Sequence, residues 1–118
     1  MQAHACDLRA EIAHDWHLLT GSNAVPSDTQ LDDFVRSLIR DSRACLLAPA
    51  ARRLVNYAEK LTRAPSQMNQ ADIAGLRDSG WSDIAIHDTV QIVGYFNYIN
   101  RVADALAVDP EPDLPKWE

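Results

Sequence analysis

The sequence is short of the features that interrupt helices or brace a secreted fold. Only four glycines punctuate its 118 residues. No stretch alternates apolar and polar residues in the strand period with β-branched side chains, so a sheet-based fold is not expected. There are only two cysteines, Cys6 and Cys45. They lie far apart, form no Cys-x-x-Cys and match no metal-ligand spacing, so neither a disulfide framework nor a resident metal or other cofactor is expected. A reducing cytoplasm is the compartment that suits them. No run of about 18 apolar residues occurs, which argues against a membrane span. No charged-then-apolar leader with a small-residue cleavage site is visible either. Positive charge is also scarce. Eleven Lys and Arg face seventeen Asp and Glu, for a formal charge of -6. The cations are scattered, with Arg52 and Arg53 the densest pair, and a chain without a basic stripe is not expected to bind nucleic acid.

What is present is helical periodicity. Apolar residues make up 47% of the chain, enough for a core, and the length suits one domain. A first helix is expected over roughly residues 2 to 19, with Leu8, Ile12, Leu18 and Leu19 as its apolar members and Gly21 as its stop. Ser27 and Gln30 have capping-box spacing. Behind them Leu31, Phe34, Val35, Leu38 and Ile39 repeat as one face of an amphipathic helix. Pro49 suits the first turn of a third helix, where its missing N–H costs nothing. Leu54, Tyr57, Ala58 and Leu61 form its inner face, and Pro65 ends it. Asn69 caps a short helix that stops at Gly80. Ser82 caps the longest one, expected over roughly 83 to 107. Its apolar residues occupy more than one stripe, which predicts burial on most sides. The fold class is therefore all-α, with about five helices in a domain spanning 1–107. Residues 108–118, "DPEPDLPKWE" after Val108, read as an acidic, Pro-rich tail pinned by Trp117.

Few residues stand out as chemistry. Asn97, Asn100, Arg101 and Asp104 stand at i, i+3, i+4 and i+7 on the long helix and share one face. No nucleophile accompanies them. They are expected to be a structural polar stripe, buried and satisfied, that joins helices or subunits. His14 and His17 have a spacing that could hold a metal, but no third ligand is evident. His87, beside Asp88, suits a helix surface. Cys6 and Cys45 read as small buried apolar residues.

Three segments carry a family resemblance. They are the Tyr-Ala-x-Lys-Leu-Thr-x-x-Pro helix end at Tyr57 to Pro65, the Leu-Arg-x-x-Gly-Trp-Ser-Asp turn at Leu76 to Asp83, and the Tyr-Phe-Asn-Tyr-x-Asn-Arg-x-Ala-Asp helix at Tyr95 to Asp104. In order and spacing they resemble the C-terminal half of the peroxidase-related (alkylhydroperoxidase-like) branch of the AhpD-like, or carboxymuconolactone decarboxylase, superfamily. The sequence departs from that pattern at Ala105, Leu106 and Ala107, where the family has Gly-Leu-Gly.

The resemblance implies an AhpD-like helical bundle and an antioxidant, thiol-dependent peroxidase activity. It implies a homo-oligomer, trimer or hexamer, and a dithiol electron donor as a further partner. The family's redox motif is Cys-x-x-Cys-x-x-x-His at a helix start, followed a few residues later by Leu-Arg. Here His4 followed by "ACDLRAEI" fits the end of that motif. The resemblance thus makes His4 the proton relay and puts the second cysteine one residue before Met1. By this reading the fold is truncated at its N-terminus, and the chain lacks the catalytic pair and is inactive as given. Cys6 cannot replace it, because two residues along a helix turn about 200° and carry Cys6 away from His4. The alternative is a non-catalytic helical oligomerisation or scaffold module of the same fold.

Overall fold

The computed structural model describes residues 5–43 and 45–108. It is all-α, and no strand occurs among the described residues. The helices are α1 (Ala5–His14), α2 (Trp16–Thr20), α3 (Asp28–Arg40), α4 (Pro49–Arg63), α5 (Gln70–Asp78) and α6 (Asp83–Ala105), with a 3-10 turn at Pro65–Gln67 between α4 and α5. None is long and apolar enough to cross a membrane. The chain forms two compact units, one built before Pro49 and one from Pro49 onward. The expectations for His4 and for the tail after Val108 fall on residues outside those described, as does the side chain of Cys6.

In the first unit, α1 packs on α3. The expected opening helix is broken at Asp15, whose backbone leaves helical geometry. Beyond the break Trp16 meets Phe34 edge-on, with ring centroids 5.3 Å apart. Leu18, expected inside, is exposed, and Trp16 and Leu19 take its place against the core. That core is Ile12, Leu31, Phe34, Val35 and Cys45. The Ser27 box forms as expected, with Gln30 N–H donating to Ser27 Oγ and Ser27 N–H to Gln30 Oε1. Gly21 ends α2 at φ +76, a left-handed position that favours glycine.

In the second unit, α4 packs against both α5 and α6, and α5 also touches α6. Its buried side chains are Ala51, Leu76 and Ile86. Asn69 caps α5, its side chain accepting from Ala71 N–H, while Asp72 accepts from Asn69 N–H. Ser82 caps α6 by accepting from Ala85 N–H. Both helices end in the same six-residue hydrogen-bonding pattern. After α5, Trp81 N–H reaches Leu76 O and Gly80 N–H reaches Arg77 O; after α6, Val108 N–H reaches Ala103 O and Ala107 N–H reaches Asp104 O. This is the Schellman arrangement, which needs a left-handed residue just past the helix. Gly80 supplies it at φ +96, and Ala107 at φ +52.

The expectation that α6 is buried on most sides is not met. Only Ile86 is fully buried among its residues. Ile92, Tyr95, Phe96, Ile99, Val102 and Leu106 are between 37% and 70% exposed. Within the second unit, α4 and α5 lie against α6, and these α6 residues stay exposed among the described residues.

Candidate functional site

The three motif segments meet in the second unit, and their polar residues stitch it together. From α4, the Lys60 ammonium donates to both carboxylate oxygens of Asp72 at 2.8 Å. This holds the Asp72 carboxyl below its usual pKa, with help from the Asn69 backbone N–H. Two residues later Thr62 and the Asn97 amide exchange hydrogen bonds of 3.2–3.3 Å, tying the end of α4 to α6. Pro65 then ends the helix by opening the 3-10 turn.

The turn between α5 and α6 is held in the same way. Trp81 Nε1 donates to Ala50 O at 2.9 Å, fixing the turn to the start of α4. Arg77 Nε donates to Asp83 across the turn at 2.6 Å, and this bond lowers the Asp83 pKa. Arg53 Nη1 donates to Gly75 O at 3.0 Å, a bond between α4 and α5. The motif residues present here are therefore chiefly framework: they cap helices and pair them.

Between α4 and α6 these stitches leave an open groove of about 490 Å³. Leu61, Pro65, Val90 and Gly94 give it an apolar floor, with Asn97 and Arg101 at its polar edge. No side chain projects from Gly94, and nothing fills the space a Cβ would take there. The lining carries no thiol, carboxylate or imidazole, so it has no group suited to attack or to proton transfer near neutral pH.

The expected polar stripe is only partly brought together. Asn97 is half-buried and bonded to Thr62. Asn100, Arg101 and Asp104 are exposed, and none of them has a hydrogen-bond or ion-pair partner among the described residues. The expectation of a buried, satisfied stripe is thus corrected for these three in the single chain. They lie past the Thr62–Asn97 bond, where α4 ends at Arg63, and Arg101 stands at the edge of the groove between α4 and α6. The partner of Asn97, Thr62, was not singled out, although it lies within the first motif.

The segment that follows His4 is firmly held. Arg9 donates to Asp32 at 2.7 Å and to Asp28 at 2.9 Å, clamping α1 to the start of α3. Both carboxylates keep the Arg9 guanidinium protonated, Asp32 more strongly. Cys45 is buried in the first unit's core. His14 and His87 are exposed, each beside its neighbouring aspartate. No group of three or more His, Cys, Asp or Glu gathers among the described residues in a way that could hold a metal.

No protein-family model matches the sequence, and no curated protein matches it. Among solved structures, the chain is similar to an uncharacterized peroxidase-related protein from Silicibacter sp. TM1040. The TM-score is 0.75 and the sequence identity 28%, over 99% of this chain and 53% of that one. The chain therefore shares the fold of part of a peroxidase-related protein and spans about half its length.

Proposed function

We propose that this chain carries part of an alkylhydroperoxidase-like protein of the AhpD type, one that reduces peroxides by thiol chemistry. The observation that carries the proposal is the agreement of two independent likenesses. The motifs at Tyr57 to Asp104 resemble the peroxidase-related branch, and the fold matches a peroxidase-related protein over 99% of the chain. The stitched motif residues support it further, because each has a framework task that such a spacing serves.

In this reading the reacting thiols come from a Cys-x-x-Cys whose second cysteine stands four residues before His4. One thiolate attacks the peroxide O–O bond and becomes a sulfenic acid, and the departing alkoxide takes a proton relayed by His4. The second thiol displaces water from the sulfenic acid to form a disulfide, and a dithiol donor reduces that disulfide. The Arg9 clamp onto Asp28 and Asp32 fixes the helix that follows His4. Cytoplasmic residence and self-association belong to the same proposal.

Cys6 and Cys45 are the only cysteines here, so the chain by itself is expected to show no thiol-peroxidase turnover. The test is hydroperoxide consumption with a dithiol donor. Robust turnover that Cys6→Ser abolishes would place the chemistry on Cys6 and overturn this assignment.

A further inference from the structure

The groove between α4 and α6 sorts its lining by polarity. At about 100° per residue, Val90, Gly94, Asn97 and Arg101 fall within one arc of α6 about 60° wide. Leu61 of α4 and Pro65 of the turn that follows it complete the aliphatic floor. Arg101 is the one charged residue in the lining. It is exposed and has neither a hydrogen-bond nor an ion-pair partner among the described residues. Asp104, three residues on, does not pair with it. Other cations of this unit are engaged: Lys60 by Asp72, Arg77 by Asp83, and Arg53 by the Gly75 carbonyl.

We propose that this groove binds a free aliphatic carboxylate, its head on Arg101 and its unbranched chain along the floor toward Gly94 and Val90. A planar guanidinium matches a carboxylate with two parallel N–H donors. The Asn97 amide gives one N–H to Thr62 and has a second to offer beside Arg101. The lining holds no carboxylate, so nothing there repels the head group and nothing attracts an organic cation. From Arg101 back to Gly94 the helix rises about 10 Å, a straight apolar track that suits methylenes. The volume of about 490 Å³ lies within the range of small-molecule sites, about 300–1,000 Å³.

Gly94 points to the same use of the groove. Glycine weakens a helix interior, and tight packing is the usual reason to keep it. Here a Cβ would meet no heavy atom within 4 Å, so no neighbour demands the small residue. The missing side chain instead keeps the track open where the ligand's chain would lie. The source of the carboxylate is a dissolved molecule rather than a bilayer, because a formal charge of -6 opposes approach to an anionic lipid surface. This site is independent of the peroxidase reading.

The test titrates the whole chain with decanoate, kept below micelle formation, and follows backbone amide shifts by NMR. Saturable shifts are expected at the groove, between residues 90 and 105 and around Leu61. Affinity should rise from butyrate through octanoate to decanoate by about two- to fourfold per methylene. Decanol and decyltrimethylammonium should bind at least about tenfold more weakly than decanoate. Arg101→Gln should weaken decanoate by about ten- to a hundredfold, the worth of a hydrogen bond to a charged group. It should leave the melting temperature unchanged, since Arg101 is exposed. Gly94→Leu should raise helix stability and abolish binding, because its side chain fills the track. Absence of saturable binding, decanol binding as tightly as decanoate, indifference to Arg101→Gln, or full binding by Gly94→Leu would overturn the proposal.

Discussion

Leu76→Ala tests the packing that positions the second unit. Leu76 is 2% exposed. It sits in α5, and its carbonyl accepts the N–H of both Ser79 and Trp81, so its backbone is fixed by the turn that leads into α6. The substitution removes three carbons, about 2.4 kcal/mol at about 0.8 per buried methylene. A sealed void would raise the loss toward about 5 kcal/mol. Here Leu76 borders a groove of about 240 Å³ open to solvent, together with Arg53, Tyr57 and Lys60. Water and these long side chains can occupy part of the space, which holds the cavity cost down. The expected loss is therefore about 3 kcal/mol, near the low end of measured Leu→Ala effects. For a unit of this size that lowers Tm by roughly 12–24 °C. Thermal melts followed by circular dichroism at the helix band, with urea titration beside them, measure both values. A fall of less than about 3 °C would refute this account of how α4, α5 and α6 pack.

Other expectations follow from the same contacts. Thr62→Ala and Asn97→Ala should each cost about 0.5–1 kcal/mol, and a double-mutant cycle should show them coupled. Asp104→Ala, exposed and without a partner among the described residues, should stay within about 0.5 kcal/mol of the parent by urea denaturation. Gly80 and Ala107 make the same left-handed cap with different residues. Gly80→Ala should therefore destabilise by about 1 kcal/mol and Ala107→Gly stabilise by a similar amount, as amide exchange at the two helix ends would report. The carboxyls of Asp72 and Asp83 are held below their usual pKa by Lys60 and Arg77. Their contribution is present above the ordinary carboxylate range and is lost as pH falls through their lowered values. A melting profile below about pH 4 should decline, and should decline less in Asp72→Asn.

Local signals carried much of the fold. Ser27 with Gln30, Asn69, Ser82, Pro49, Pro65 and Gly21 mark helix starts and stops by chemistry that acts within a few residues, and the structure places caps and ends where they stand. The break at Asp15 was not legible, because it depends on where Trp16 finds Phe34, eighteen residues away. The stitches of the site were invisible as pairs for the same reason. Thr62 and Asn97 are 35 residues apart, and nothing in either segment names the other. The exposure of α6 was misjudged because its sequence shows that two faces are apolar but not whether a single chain can cover both. The departure at Ala107 also has a physical answer. The helix ends as the glycine-bearing pattern would have it, with alanine taking the left-handed backbone.

The peroxidase assignment is tested most directly by joining a Cys-x-x-Cys segment immediately before Met1, so that its second cysteine stands four residues from His4. On a helix that spacing brings the two side chains to one face, with Cβ atoms about 5–6 Å apart. A helix N-terminus and the imidazolium both favour the thiolate. The measurement is hydroperoxide reduction with a dithiol donor by this longer polypeptide and by its His4→Ala variant. Turnover in the first, falling by about 10²–10⁴-fold in the second, is the result expected of a positioned proton relay. An inactive longer polypeptide, or one whose activity ignores His4, would contradict the assignment.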